Sequence, residues 1–105
     1  MSLSTHVLDA TLGTPAAGVS VRLARGADTL AEAVTDEDGR VRELGALAEA
    51  GDYRVTFDTG AYFAASGQRG FYPEVTIAFT VTDPSAHHHV PLLLSPYAYS
   101  TYRGS

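Results

Sequence analysis

The chain of 105 residues contains no cysteine, no tryptophan and, among its seven basic residues, no lysine. Without cysteine there is no disulfide, no thiolate nucleophile and no Cys-ligated zinc. The seven arginines are scattered, and twelve acidic residues bring the formal net charge to −5, so nucleic acid and anionic membrane surfaces are poor partners. No apolar run approaches the length of a membrane span. The opening "MSLSTHVLDA" has neither the basic start nor the apolar stretch of a secretion signal, so a cytoplasmic protein is expected. Sustained helical spacing is scarce as well.

What is present is hydrophobic content of 45%, sufficient for a packed interior, in a length that fits one domain over residues 1–105. A fold of this size buries roughly two thirds of its unfolded surface. Two-residue alternation dominates. In "FYPEVTIAFTVTD" (71–83), Phe71, Pro73, Val75, Ile77, Phe79 and Val81 share one face, which predicts a long half-buried strand with Pro73 marking a sheet edge. Segments 19–26 and 53–58 read as strands with one wet face, and 4–10, 29–36, 88–95 and 97–103 are further strand candidates. Residue type predicts turns at 13–18, 25–28, 36–40, 83–86 and 95–96. Only 43–51 and 59–67 have helical character, the latter closed by Gly67. Seven or eight short strands in such a chain predict an all-β fold, a two-sheet β-sandwich with one short helix.

Chemistry concentrates at His6, at Arg40 in the "DGR" turn, and in "HHHVPLLLS" (87–95). Alternation assigns Val90, Leu92 and Leu94 to the core, so His89, Pro91 and Leu93 point outward. The closing segment divides the same way, with Tyr97, Tyr99, Thr101 and Arg103 on one side and Ala98, Ser100, Tyr102 and Gly104 on the other. An antiparallel hairpin through Ser95 and Pro96 would give one outward surface bearing His89, Ser100 and Tyr102. Thr5 and Val7 share one face of the first strand and His6 and Leu8 the other, which leaves His6 free to join either layer. Each feature also has an ordinary reading. A strand histidine on a surface is more often solvated than catalytic, and an arginine after "EDG" is commonly a solvated turn residue. His87 and His89 stand two apart and present both imidazoles on one side, a zinc-like arrangement with His6, although spacing fixes no third ligand.

The segments 4–23, "TDEDGRV" (35–41), "GDYRVTFDTGAYF" (51–63), "FYPEV" (71–75) and "HHVPLLLSPYAYSTYRGS" (88–105) together resemble the 5-hydroxyisourate hydrolase family, the transthyretin-related enzymes of urate breakdown. The terminal "YRGS" is what separates these hydrolases from transthyretin proper. The resemblance implies a sandwich of eight strands assembled as a homotetramer, with active sites in a central channel at the dimer–dimer interface. It implies that His6, Arg40, His89 and Ser105 form the catalytic set and that His6, Arg40 and Tyr102 contact substrate; on that basis the two histidines, from separate polypeptides, are expected to face each other across the channel. Neither metal nor cofactor is expected. His88 stands where relatives often carry tyrosine and is expected to affect packing. The reaction implied is hydrolytic opening of the six-membered ring of 5-hydroxyisourate. The alternative is a transthyretin-like carrier that binds a flat aromatic molecule without turnover.

Overall fold

In the computed structural model, which describes residues 2–105, the alternating segments become two sheets that trap their apolar faces between them. The described residues form β1 (Leu3–Asp9), β2 (Thr14–Pro15), β3 (Ser20–Arg25), β4 (Asp28–Val34), β5 (Arg40–Val41), β6 (Gly51–Phe57), α1 (Thr59–Ala65), β7 (Val75–Val81), β8 (His88–Ser95) and β9 (Ala98–Thr101). One sheet runs β2-β1-β8-β9, with β5 also paired to β1, and the other runs β4-β3-β6-β7. The expected sandwich and its single helix are both present. No helix among the described residues is long and apolar enough to cross a membrane.

The core follows from period two. Leu3 and Val7 of β1 and Leu92 and Leu94 of β8 face Val21, Leu23, Val55 and Phe57 of the second sheet, all buried. Each such side chain contributes about 1.5–3 kcal/mol when removed from water. Pro73 does mark an edge, since β7 pairs only with β6. The strand nevertheless starts at Val75, not Phe71, because the backbone before it is already engaged. Phe71 N–H donates to Pro96 O (2.7 Å), Gly60 N–H donates to Pro73 O (2.9 Å), and the Thr59 hydroxyl donates to Tyr72 O (2.8 Å). The last two tie the start of α1 to the chain entering β7, and the first ties that chain to the turn between β8 and β9.

The helical expectation for 43–51 is not met. Leu44 N–H donates to Leu3 O (2.7 Å), Ala46 bridges Ser2, and both Leu44 and Leu47 are buried, so the segment is an irregular plug over the start of β1. Tertiary bonding has overridden a favourable helical composition. In contrast α1 has a cap, the Asp58 carboxylate accepting from Ala61 N–H (3.2 Å), and a buried anchor in Phe63.

Asp9, only 1% exposed, joins the two ends of this architecture. Its carboxylate accepts from Thr11 and Leu12 N–H (3.0 Å each), from the Tyr62 hydroxyl (2.6 Å) and from Gln68 Nε2 (3.0 Å). Burial alone would raise the carboxyl pKa, but hydrogen bonds from Tyr62, Leu12, Gln68 and Thr11 outweigh it and hold Asp9 below the ordinary value of 3.8. Burial and the Asp9 charge push the Tyr62 phenol well up in return. A carboxyl depressed in the folded state contributes stability that is complete above 3.8 and lost as pH falls through the folded value. Asp9→Ala strands several buried donors and should destabilise by about 2–3 kcal/mol at neutral pH. Urea titrations of both proteins check this: the gap should narrow in acid, and coincident curves at neutral pH would show that the carboxylate holds nothing.

Candidate active site

The site begins with β1 and β8, which pair in parallel from Leu3↔His88 to Asp9↔Leu94. Residues directly across a ladder share a face. With Leu3, Thr5, Val7 and Asp9 buried, Ser4, His6 and Leu8 point away from the core, which settles the layer of His6. Ser4 therefore stands beside His89 and His6 beside Pro91. The imidazoles of His6 and His89 are diagonal neighbours, one strand spacing (~4.8 Å) across and one pleat repeat (~6.6 Å) along. Within one chain they lie on one face of one sheet, because β1 and β8 are adjacent strands.

Arg40 reaches this face through a tight turn. The Asp36 carboxylate accepts from Asp38 N–H (2.9 Å) and Arg40 N–H (3.0 Å), while Asp36 N–H donates to Arg40 O (3.0 Å). Gly39 sits at φ +73°, and a β-carbon there would lie 2.3 Å from Val7 O, so only glycine lets the turn close on β1. Arg40 is thereby registered opposite His6.

The tail arrives from the other side of β8. β9 pairs antiparallel with β8 from Ser95↔Ala98 to Leu92↔Thr101, which puts Ser100 opposite outward Leu93. Continuing that register would pair Pro91 with Tyr102, but Pro91 has no N–H to donate, and its carbonyl already accepts from the Thr101 hydroxyl (2.7 Å). Tyr102 and Arg103 leave the ladder. Pairing resumes at Gly104, whose N–H donates to His89 O (2.9 Å). Tyr102, largely exposed, lines a groove at the open side of the sandwich with Ile77, Phe79, His89, Val90 and Thr101, so it shares a surface with His89.

Gly104 packs against the His89 ring so closely that a β-carbon would come within 2.4 Å of Cδ2. On the opposite edge of that ring the Ser4 hydroxyl lies 2.7 Å from Nδ1, and the same hydroxyl lies 2.8 Å from His87 Nε2. Ser4, Arg40, Arg42, His87, His89 and Ser105 line a pocket of about 280 Å³ in which Val41 is the single apolar wall residue. His6 borders Arg40 but stands outside that lining. Partial burial, then the charge of Arg40 and the neighbouring imidazoles of His6 and His87, hold the His89 imidazole below its ordinary 6.5, against a hydrogen bond to Ser4 that favours the cation. A partly buried imidazole kept neutral beside guanidinium groups suits general-base work and anion stabilisation.

His88 is buried as expected, its Nδ1–H donating to Ala86 O (2.9 Å). No group of three or more His, Cys, Asp or Glu side chains gathers to hold a metal among the described residues. A larger groove of about 390 Å³ on the other sheet, between β3 and β4, offers Arg22, Glu32 and Asp58 but no imidazole. Ser4 and Gly104 are absent from the set expected on the sequence. Period two puts Ser4 on the face of His6, yet its link to His89 appears only once the parallel partner is known.

Fold and site together define a transthyretin-like sandwich with a histidine–arginine face, and residues 3–104 match the HIUase/Transthyretin family, to which the chain belongs. Among its relatives, the 5-hydroxyisourate hydrolase of Caulobacter vibrioides is 50% identical over 112 residues, covering 98% of this chain and 97% of that protein. The structure of Klebsiella pneumoniae 5-hydroxyisourate hydrolase superposes with a TM-score of 0.92 at 44% identity, covering 100% of both chains. Sea bream transthyretin in complex with thyroxine superposes with a TM-score of 0.91 at 34% identity, covering 99% of this chain and 95% of that one.

Two outcomes follow from the geometry. NMR titration should place His89 below 6.5, and Arg40→Ala should move it up; a value at or above the ordinary one contradicts the electrostatics described. Gly104→Ala should displace either the ring or the tail, visible as a large chemical-shift change at His89 with circular dichroism intact. An unchanged His89 spectrum would mean the contact exerts no force.

Proposed function

We propose that the chain hydrolyses 5-hydroxyisourate, opening its six-membered ring at an amide-like carbonyl to give 2-oxo-4-hydroxy-4-carboxy-5-ureidoimidazoline in urate degradation. The observation that carries this reading is the convergence of His89, held neutral, with Arg40 and Ser105 in one polar pocket beside His6. The relatives named 5-hydroxyisourate hydrolase support the choice of substrate.

Water is a weak nucleophile at neutral pH and needs a base that is largely unprotonated there. His89 takes the proton of the attacking water, and His6 orients that water or returns a proton to the departing ring nitrogen. Arg40 binds the planar, electron-rich substrate through its forked donors and stabilises the oxyanion as it forms. Ser105 contributes hydroxyl contacts from the tail, and Tyr102 closes the pocket from its side groove. The residues supply acid, base and positive charge themselves, so the proposal includes neither metal nor cofactor.

The proposal includes a cytoplasmic homotetramer. Both β7 and β9 are edge strands, and residues of both line the same groove, so one side of the sandwich presents two unpaired edges suited to pairing with a second copy. A carrier is the alternative, since the sea bream neighbour holds thyroxine in the same fold. A pocket with one apolar wall residue suits an apolar hormone poorly.

Absorbance decay of freshly generated 5-hydroxyisourate separates the two readings. The parent should accelerate the decay, and His89→Ala or His6→Ala should each lose on the order of 10²–10⁴-fold at unchanged oligomeric state. A parent that leaves spontaneous decay untouched is a carrier. Because the base must be neutral, kcat/KM should rise with pH through the His89 titration, on the acid side of 6.5, and Arg40→Ala should shift that limb upward. A limb that falls with rising pH would remove His89 as base.

A further inference from the structure

The role given to His89 above leaves one requirement unmet. A neutral imidazole acts as a base only through the nitrogen without a proton, so the ring must hold the correct tautomer as well as the correct charge. Gly104 covers the Cδ2 edge and the Ser4 hydroxyl meets Nδ1, so Nε2 lies at the distal end of the ring, away from the strand. That nitrogen is available as a base only if the proton sits on Nδ1.

A serine hydroxyl has one proton to donate and two lone pairs with which to accept. Ser4 Oγ is within hydrogen-bond distance of two imidazole nitrogens, His89 Nδ1 at 2.7 Å and His87 Nε2 at 2.8 Å. If Ser4 spends its proton on His87 Nε2, it meets His89 only as an acceptor, and His89 must then be protonated at Nδ1. If Ser4 donates instead to His89, that ring is protonated at Nε2 and is useless as a base toward the pocket. His87 lies just ahead of β8 and is exposed, so its Nδ1–H can be satisfied by water while Nε2 accepts from Ser4.

We propose that Ser4 is a positioning residue, and that His87, by claiming the proton of Ser4, obliges His89 to carry its own proton on Nδ1 and present a bare Nε2 to the substrate. This rests on the hydrolase reading. It also gives an employment to His87, which a site built from His6, Arg40, His89 and Ser105 leaves idle. The device is a chain of three side chains: His89 on β8, His87 just ahead of it, and Ser4 on the parallel neighbour β1.

The test has a readout that needs no turnover. Nitrogen-15 spectra of the ligand-free protein at neutral pH should find His89 protonated at Nδ1, and Ser4→Ala should move it to a tautomer mixture or to Nε2. In turnover, Ser4→Ala should lower kcat on the order of 10–100-fold, the scale seen when orienting partners of metal-bound imidazoles are removed, with KM changed by no more than about twofold. Ser4→Thr keeps a hydroxyl and should restore both the tautomer and most of kcat. His87→Ala should loosen the tautomer in the same direction with a smaller loss, which keeps the idea testable should Ser4→Ala fold poorly. A parent His89 protonated at Nε2, or Ser4→Ala and His87→Ala both turning over at the parent rate, overturns the proposal. Failure of the hydrolase reading itself is distinguishable, because the parent would then leave substrate decay unaccelerated whatever the tautomer.

Discussion

Parallel pairing of β1 with β8 is the constraint from which the rest of the site descends. It joins residues more than eighty positions apart, setting Ser4 against His89 and His6 against Pro91. Two further bonds pin the register: the buried Thr5 hydroxyl donates to Val90 O at 2.6 Å within the overlap, and Ala10 N–H donates to Leu94 O at 2.8 Å just beyond Asp9. A slip of one residue would turn Asp9 to solvent and drive His6 into the core. The register that protects the interior is therefore the one that composes the outer face.

Much of this was legible as alternation, and the failures have identifiable causes. Where a strand buries one face, as at 19–26, 53–58 and 88–95, period two assigned the core side chains, including the outward turn of His89 and the inward turn of His88; Pro91, expected on the outward side, is buried as well. Alternation carries no information about which strand lies alongside, so the layer of His6 stayed open and Ser4 went unnoticed. The segment 43–51 misled because helical composition is a weak prior against one long-range bond, Leu44 N–H to Leu3 O. Strict alternation also presumes an unbroken ladder, and this one is interrupted between Thr101 and Gly104 before resuming in the same register.

Rigid and irregular parts divide the labour. His89 and Ser4 stand on strands buried on their inner side, and Arg40 is held by a turn knitted to a single carboxylate, Asp36, whose pKa is lowered chiefly by the backbone N–H of Arg40. Ser105 arrives on a chain that has left its ladder and returned through one backbone bond at Gly104. In the proposed reaction a base and a guanidinium are best placed on such fixed supports, where side-chain rotamers are set by packing, and the tail would supply enclosure.

The gap opened by Pro91 has an evolutionary corollary. Because residues 102 and 103 make no ladder bonds, a lineage can exchange them without unravelling the sheet, whereas Gly104 next door is sterically obliged. Divergence in ligand preference within this architecture should accordingly accumulate at that two-residue excursion sooner than along the strands that carry the imidazoles.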